Sequence, residues 1–135
     1  MTPKYFLDSS AIYTLANKAD PVGTKISDIL TQTRPMLITT DSVFAETLSL
    51  ITKRIGKQAA ITTGLMLKTS KYIKIMRLEK SVLKKAWEMF AKAKYEDKDF
   101  DYIDAMSFAC CRQQKIKTVL TLDHHFTQMG FAILP

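Results

Sequence analysis

Lys4-Tyr5-Phe6-Leu7-Asp8-Ser9-Ser10 is the stretch that decides the fold. Its unbroken apolar run reads as a short buried strand. A carboxylate ends the run. Two hydroxyl residues follow, and Ser9 or Ser10 can cap a helix over about residues 9–18, with Ile12, Leu15 and Ala16 on one side. The same order of apolar run and acid returns near the other end of the chain, in Thr118-Val119-Leu120-Thr121-Leu122-Asp123.

Between these two points strands and helices alternate. Asp20-Pro21-Val22-Gly23 is a turn whose proline opens a helix carrying Ile26, Ile29 and Leu30, which ends before Pro35. Residues 36–39 form a second strand, and Thr40 or Asp41 caps a helix reaching about Ile55. Gly56 breaks it, and another helix covers about residues 57–68. Residues 72–76 form a third strand, whose alternating lysines mark a solvated face or an edge. Val82, Leu83, Ala86, Trp87, Phe90 and Ala93 are at helical spacing over about residues 80–95. A polar loop over 96–100 leads to a helix from about Tyr102 to Gln114, then the strand at 118–122. A turn or short helix follows at 124–129, Gly130 ends it, and residues 131–134 form a last strand. This alternation predicts an α/β fold, one domain over residues 1–135, with a central, mostly parallel sheet and helices on both faces. Ligands in such folds bind beyond the carboxyl ends of the strands, where the strand order reverses. Asp8 and Asp123 both leave a strand at that end.

Composition narrows the function. The 135-residue chain carries a net charge of +7, and residues 53–98 hold 13 Lys/Arg against four acids. Such a field attracts polyanions, nucleic acid among them. Apolar content of 47% without Pro-rich or repetitive stretches excludes disorder. No apolar run approaches the roughly 20 residues of a spanning helix, and three apolar residues before Asp8 are too few for a signal-peptide core. A soluble cytoplasmic protein is expected. The adjacent Cys110 and Cys111 read as small core residues rather than a redox pair.

Against this basic background the acids stand out. Glu46 sits on the margin of an apolar stripe centred on Phe44, Leu48 and Ile51, with Val43, Thr47 and Leu50 beside it. It can reach a neighbouring cleft, or simply sit exposed near a helix N-terminus. Asp97, Asp99, Asp101 and Asp104 fall within eight residues. Asp101 is placed as an N-cap and Asp104 three residues later, close to a capping box. The same two residues project from neighbouring positions and could share a cation. Ionised carboxylates in one pocket repel each other, and Mg²⁺ or Mn²⁺ removes that penalty through oxygen ligands. Such an ion activates water and stabilises charge on a phosphorane-like transition state. Other chemistries lack their signatures. There is no GxGxxG and no P-loop lysine motif, zinc would want spaced Cys/His ligands, and no nucleophile elbow surrounds a serine. His124 and His125 follow Asp123 and could touch substrate phosphate or face solvent.

These residues resemble a known family. Phe6-Leu7-Asp8-Ser9-Ser10-Ala11, Phe44-Ala45-Glu46-Thr47, Ile103-Asp104-Ala105-Met106-Ser107-Phe108-Ala109 and Leu120-Thr121-Leu122-Asp123-His124-His125-Phe126 are similar to the motifs of PIN-domain ribonucleases. The likeness is strongest to the toxins of bacterial and archaeal VapBC toxin–antitoxin pairs. The four motifs come in order and span nearly the whole chain. The resemblance implies that Asp8, Glu46, Asp104 and Asp123 form an acidic quartet that holds Mg²⁺ or Mn²⁺ and cleaves single-stranded RNA. Asp8 and Asp104 would be the principal ligands. Glu46 would bind metal or orient water, Asp123 would complete the cluster, and Ser10 would position a ligand or phosphate. Asp101 and His124 join them as supporting residues. A homodimer and a small VapB-like antitoxin are implied as well. One departure stands: toxins of this type often carry small hydroxyl residues just before the third acid, where this chain has Asp101 and Ile103.

Other readings compete. An RNA-processing nuclease of the same fold would need no antitoxin. A non-catalytic RNA-binding module would use the acids as caps and the lysines as contacts. A phosphatase or receiver-like domain would need paired acids after its first strand and an Asp after its third. Here the first strand ends in one acid before Ser9-Ser10, and the third ends at Met76-Arg77.

Overall fold

A computed structural model describes residues 2–92 and 100–135. The expected placement of Ala93 on the fifth helix, that helix's extension to residue 95, most of the polar loop, and Asp97 and Asp99 lie outside the described residues. The elements are β1 (Lys4–Leu7), α1 (Ser9–Ala16), α2 (Pro21–Thr33), β2 (Met36–Thr40), α3 (Asp41–Arg54), α4 (Lys57–Thr69), β3 (Ile73–Met76), α5 (Lys80–Lys92), α6 (Tyr102–Gln113), β4 (Thr118–Leu120), α7 (His125–Gln128) and β5 (Ala132–Leu134). The strands form one sheet in the order β3-β2-β1-β4-β5, and every pairing is parallel.

This order explains the layers. The chain moves from β1 to β2 to β3 in one direction, then returns past β1 to β4 and β5. Right-handed crossovers place α1–α4 on one face and α5–α7 on the other. β3 is an edge strand, which accounts for the exposed Lys74 within it. Lys4 pairs with Met36, and Leu7 pairs with Leu120.

Local chemistry sets the element ends. Asp20 caps α2 by accepting the Val22 amide at 2.9 Å, and Pro21 supplies a preset φ at the first helical position. Thr40 caps α3 through the Val43 amide at 3.0 Å. Gly56 adopts φ 141°, open to glycine and strained for other residues, and so separates α3 from α4. β4 stops at Leu120, two residues earlier than expected, because the Thr121 hydroxyl accepts the Asp123 amide at 3.0 Å and turns the chain. α1 has Asp8 rather than a serine at its N-cap, and the Asp8 side chain makes no capping bond. The buried stripe of α3 is Val43, Thr47 and Ile51, one residue round from the expected centre.

The core lies against both sheet faces. Phe6, Phe108 and Phe126 are fully buried. Phe108 meets Phe126 edge-on at 4.8 Å, and Phe100 stacks on Phe108 at 5.6 Å. Burying Phe126 contributes about 1.5–3 kcal/mol, and this anchor holds the short helix α7 against the sheet beside the site. Cys110 and Cys111 are buried free thiols. Burial pushes both up in pKa, Cys110 to about 11, so neither is a ready nucleophile. Among the described residues no helix is long and apolar enough to cross a membrane.

Candidate active site

The strand order reverses between β1 and β4, and the candidate site lies beyond their carboxyl ends, where ligands bind in sheets of this kind. Asp8 leaves β1 there, with its amide donating to the Leu120 carbonyl at 3.1 Å. Because Leu7 sits in register with Leu120, the next residues, Asp8 and Thr121, meet. The Thr121 hydroxyl donates to Asp8 Oδ2 at 2.7 Å, and the Ser10 hydroxyl donates to the same oxygen at 3.2 Å. Each hydroxyl also accepts a backbone amide, Ser10 from Leu122 at 2.9 Å and Thr121 from Asp123 at 3.0 Å. With one proton each, Thr121 directs its own at the carboxylate, while Ser10 is 3.2 Å from both Asp8 Oδ2 and the Thr121 hydroxyl and its proton serves one or the other. Thr39, on the other side of β1, donates to the Leu7 carbonyl at 2.8 Å. Asp8 is 6% exposed.

Two helices bring further acids to this point. Glu46 comes from the second turn of α3, half-buried. Asp104 comes from the first turn of α6. Asp104's amide donates to Asp101 Oδ1 at 2.9 Å, and Asp101's amide donates to Asp104 Oδ2 at 3.1 Å, a reciprocal capping box. That box fixes the Asp104 rotamer while leaving its carboxylate other lone pairs. Ser42 Oγ contacts Met106 Sδ at 3.4 Å and ties the start of α3 to that of α6. Asp123 closes the cleft from the loop after β4. Its Oδ1 accepts the His125 amide at 3.0 Å and lies 2.7 Å from His125 Nδ1.

The electrostatics agree with this crowding. Burial pushes the Asp104 carboxyl up to about 8, and the charges of Asp101, Asp123 and Asp8 push the same way. Burial likewise raises Asp8, with Asp123 adding to it and the Thr121 hydroxyl opposing. Burial raises Glu46, opposed by the Ser9 hydroxyl and aided by Asp8, Asp101 and Asp123. Carboxylates that resist ionisation through burial and mutual repulsion are those a cation would stabilise. Asp104, Asp123 and His125 each offer a ligand atom, all within 4.8 Å of one another. This oxygen-rich donor set suits a divalent ion.

The structure thus brings Asp8, Glu46 and Asp104 within electrostatic reach of Asp123, but the tight cation-sized group is Asp104, Asp123 and His125. Ser10 lies on Asp8. Asp101 is exposed and serves as a cap. His124, read as either a phosphate contact or a solvent-facing or capping residue, is the exposed N-cap of α7, and the place beside Asp123 goes to its neighbour. His125 takes that place because the buried Phe126 next to it pins α7 inward. Thr121 and Ser9 are further residues that sequence reasoning did not select; the hydroxyl inside an apolar strand and the tandem serines were their signals. Thr121→Val tests the first. It removes the 2.7 Å donor from Asp8 and orphans the Asp123 amide, so a loss of about 1–3 kcal/mol is expected in denaturant unfolding. A variant as stable as the wild type would show that the hydroxyl holds nothing.

Comparison with known proteins places this geometry. The PIN-domain family model matches residues 5–132. The 23S rRNA-specific endonuclease VapC20 of Mycobacterium tuberculosis is 25% identical over 126 residues, covering 93% of this chain and 94% of the relative. The crystal structure of M. tuberculosis VapC20, described as a sarcin-ricin loop cleaving toxin, superposes with TM-score 0.85 at 23% identity, covering 95% and 96% of the two chains. VapBC2 from Rickettsia felis, bound to a DNA fragment from its promoter, superposes with TM-score 0.74 at 12% identity, covering 97% of each chain.

Proposed function

The chain belongs to the PIN-domain family, and from that premise we propose that it is a metal-dependent endoribonuclease of single-stranded RNA, the toxin of a toxin–antitoxin pair. The observation that carries this reading is the burial of mutually repelling acids: Asp8 is 6% exposed and Asp104 is pushed up to about 8. Folding gains nothing from such an arrangement. A module using its acids only as caps would leave them at the surface, as Asp101 is.

In this reading Asp8, Glu46, Asp104 and Asp123 are the catalytic acids, and Mg²⁺ or Mn²⁺ is the ion they hold. When bound, the ion supplies charge neutralisation and a water of lowered pKa. Ser10 and Thr121 keep Asp8 in one rotamer. Glu46, on α3, would bind the ion or orient the attacking water. The capping box holds Asp104, and His125 orients Asp123. The chain's excess of Lys and Arg draws the RNA backbone toward a protein whose acidic centre would otherwise repel it. The VapC20 relative and the VapBC2 complex support both the RNA substrate and a VapB-like antitoxin. A homodimer is part of the same proposal.

The test is cleavage of an end-labelled single-stranded RNA with Mg²⁺, with Mn²⁺ and with EDTA. Cutting that needs either ion and stops in EDTA is expected. Undiminished cutting in EDTA would remove the metal from the mechanism. No cutting of any RNA, with no rise in melting temperature on adding metal, would favour a binding module.

A further inference from the structure

Beside the acids lies an aromatic patch that the reaction does not use. α5 buries Val82 and Ala86 but leaves Trp87 57% exposed and Phe90 37% exposed. Both rings meet Tyr102, at 6.0 Å and 5.7 Å between centroids, and each other at 6.1 Å. Tyr102 is the first residue of α6, between the capping Asp101 and the site residue Asp104. Tyr102 thus ties the patch to the helical turn that carries Asp104. The rings contact one another tilted or edge-on, at 47°, 54° and 82°, so no two of them are stacked face to face. Lys80 and Lys84, exposed and seven and three residues before Trp87, lie on the same side of the helix. Tryptophan is on average a highly buried residue, and the lysines beside this exposed one offer the charge that a phosphate backbone would meet.

We propose that Trp87, Phe90 and Tyr102 form a stacking platform for an unpaired nucleobase of the RNA substrate, with Lys80 and Lys84 on the adjoining phosphates. This rests on the ribonuclease reading and adds what that reading lacks, a contact to the base beside the cleaved strand. Unpaired bases offer a π-face to such a platform, and a base inside an A-form helix does not. The platform makes the enzyme select splayed-out nucleotides.

Trp87 is the sole tryptophan, so its emission reports on this patch alone. The probe is a short oligouridylate in EDTA, set against an abasic oligomer of equal length, with anisotropy of an end label following binding independently. Quenching by the oligouridylate and not by the abasic oligomer is expected. In cleavage assays Trp87→Ala should raise KM by on the order of tenfold with kcat little changed, and Trp87→Phe should recover most of the loss. Equal quenching by both oligomers, or an unchanged KM in Trp87→Ala while RNA is still cut, overturns the platform and leaves the nuclease standing. A change in oligomeric mass in Trp87→Ala with KM unchanged assigns the face to a second copy and also overturns it. Failure of the wild type to bind or cut any RNA removes the ribonuclease reading itself, and the platform with it.

Discussion

Asp104→Asn is expected to lose cleavage by at least about a hundredfold while melting no lower than the wild type in EDTA. Removing an outer partner of a metal ligand costs about 10–100-fold, and a residue that holds the ion directly costs no less. The stability half follows from the burial that pushes Asp104 up to about 8. Asparagine carries no charge to desolvate, and its oxygen still accepts the Asp101 amide that Asp104 Oδ2 accepts at 3.1 Å. Asp8→Asn should behave alike, because an amide oxygen accepts the Thr121 and Ser10 hydroxyls as Oδ2 does. An acid kept for structure shows the opposite pattern, weaker folding with intact activity. Wild-type cleavage by either variant under metal would end the assignment of the site.

The second large effect is a dependence of stability on pH that metal reverses. The folded pKa of Asp104, about 8, lies above its ordinary value of 3.8. The folded state therefore binds more protons than the unfolded state between those limits, and the slope of stability with pH is negative there. The contribution is whole below about pH 4 and is lost as pH rises to about 8, where the carboxyl must ionise in its buried site. Asp8 and Glu46, both raised, add to the same slope. A bound divalent ion needs the ionised form, so it stabilises more as pH rises. Melting in EDTA should fall across this window, saturating Mn²⁺ should flatten or reverse the fall, and Asp104→Asn should show a shallower slope in EDTA. Parallel melting curves with and without Mn²⁺ would mean that these acids do not bind the ion.

Much of the fold was legible because its strands are short apolar runs stopped by polar residues. The edge position of β3 could be read from the lysines along that stretch, and the capping box from the spacing of Asp101 and Asp104. Strand order was not legible, since pairing depends on crossovers whose direction leaves no mark in the residues. It is this order, with β1 between β2 and β4, that sets Asp8 against Thr121. The candidate acids were visible as charges where apolar periodicity predicts none. Their polar support was less so: a threonine in a strand also fits β propensity. The choice between His124 and His125 turns on one residue's rotation in a four-residue helix, and the burial of Phe126 decides it. Glu46 was placed on the margin of its stripe, and the shift of the buried line to Val43, Thr47 and Ile51 leaves it half-buried at the cleft.

The hydrogen bond that holds Asp8 in its working rotamer joins residues 113 positions apart. A ribosome adds about 5–20 residues per second, so Asp8 waits roughly 6–23 s for Thr121 to be made. Until then β1 has β2 beside it and no β4, and the cleft has neither Asp123 nor the loop that fixes Asp8. The acidic cluster is thus incomplete until residue 121 is made, and the topology of the sheet works as a delay on its assembly.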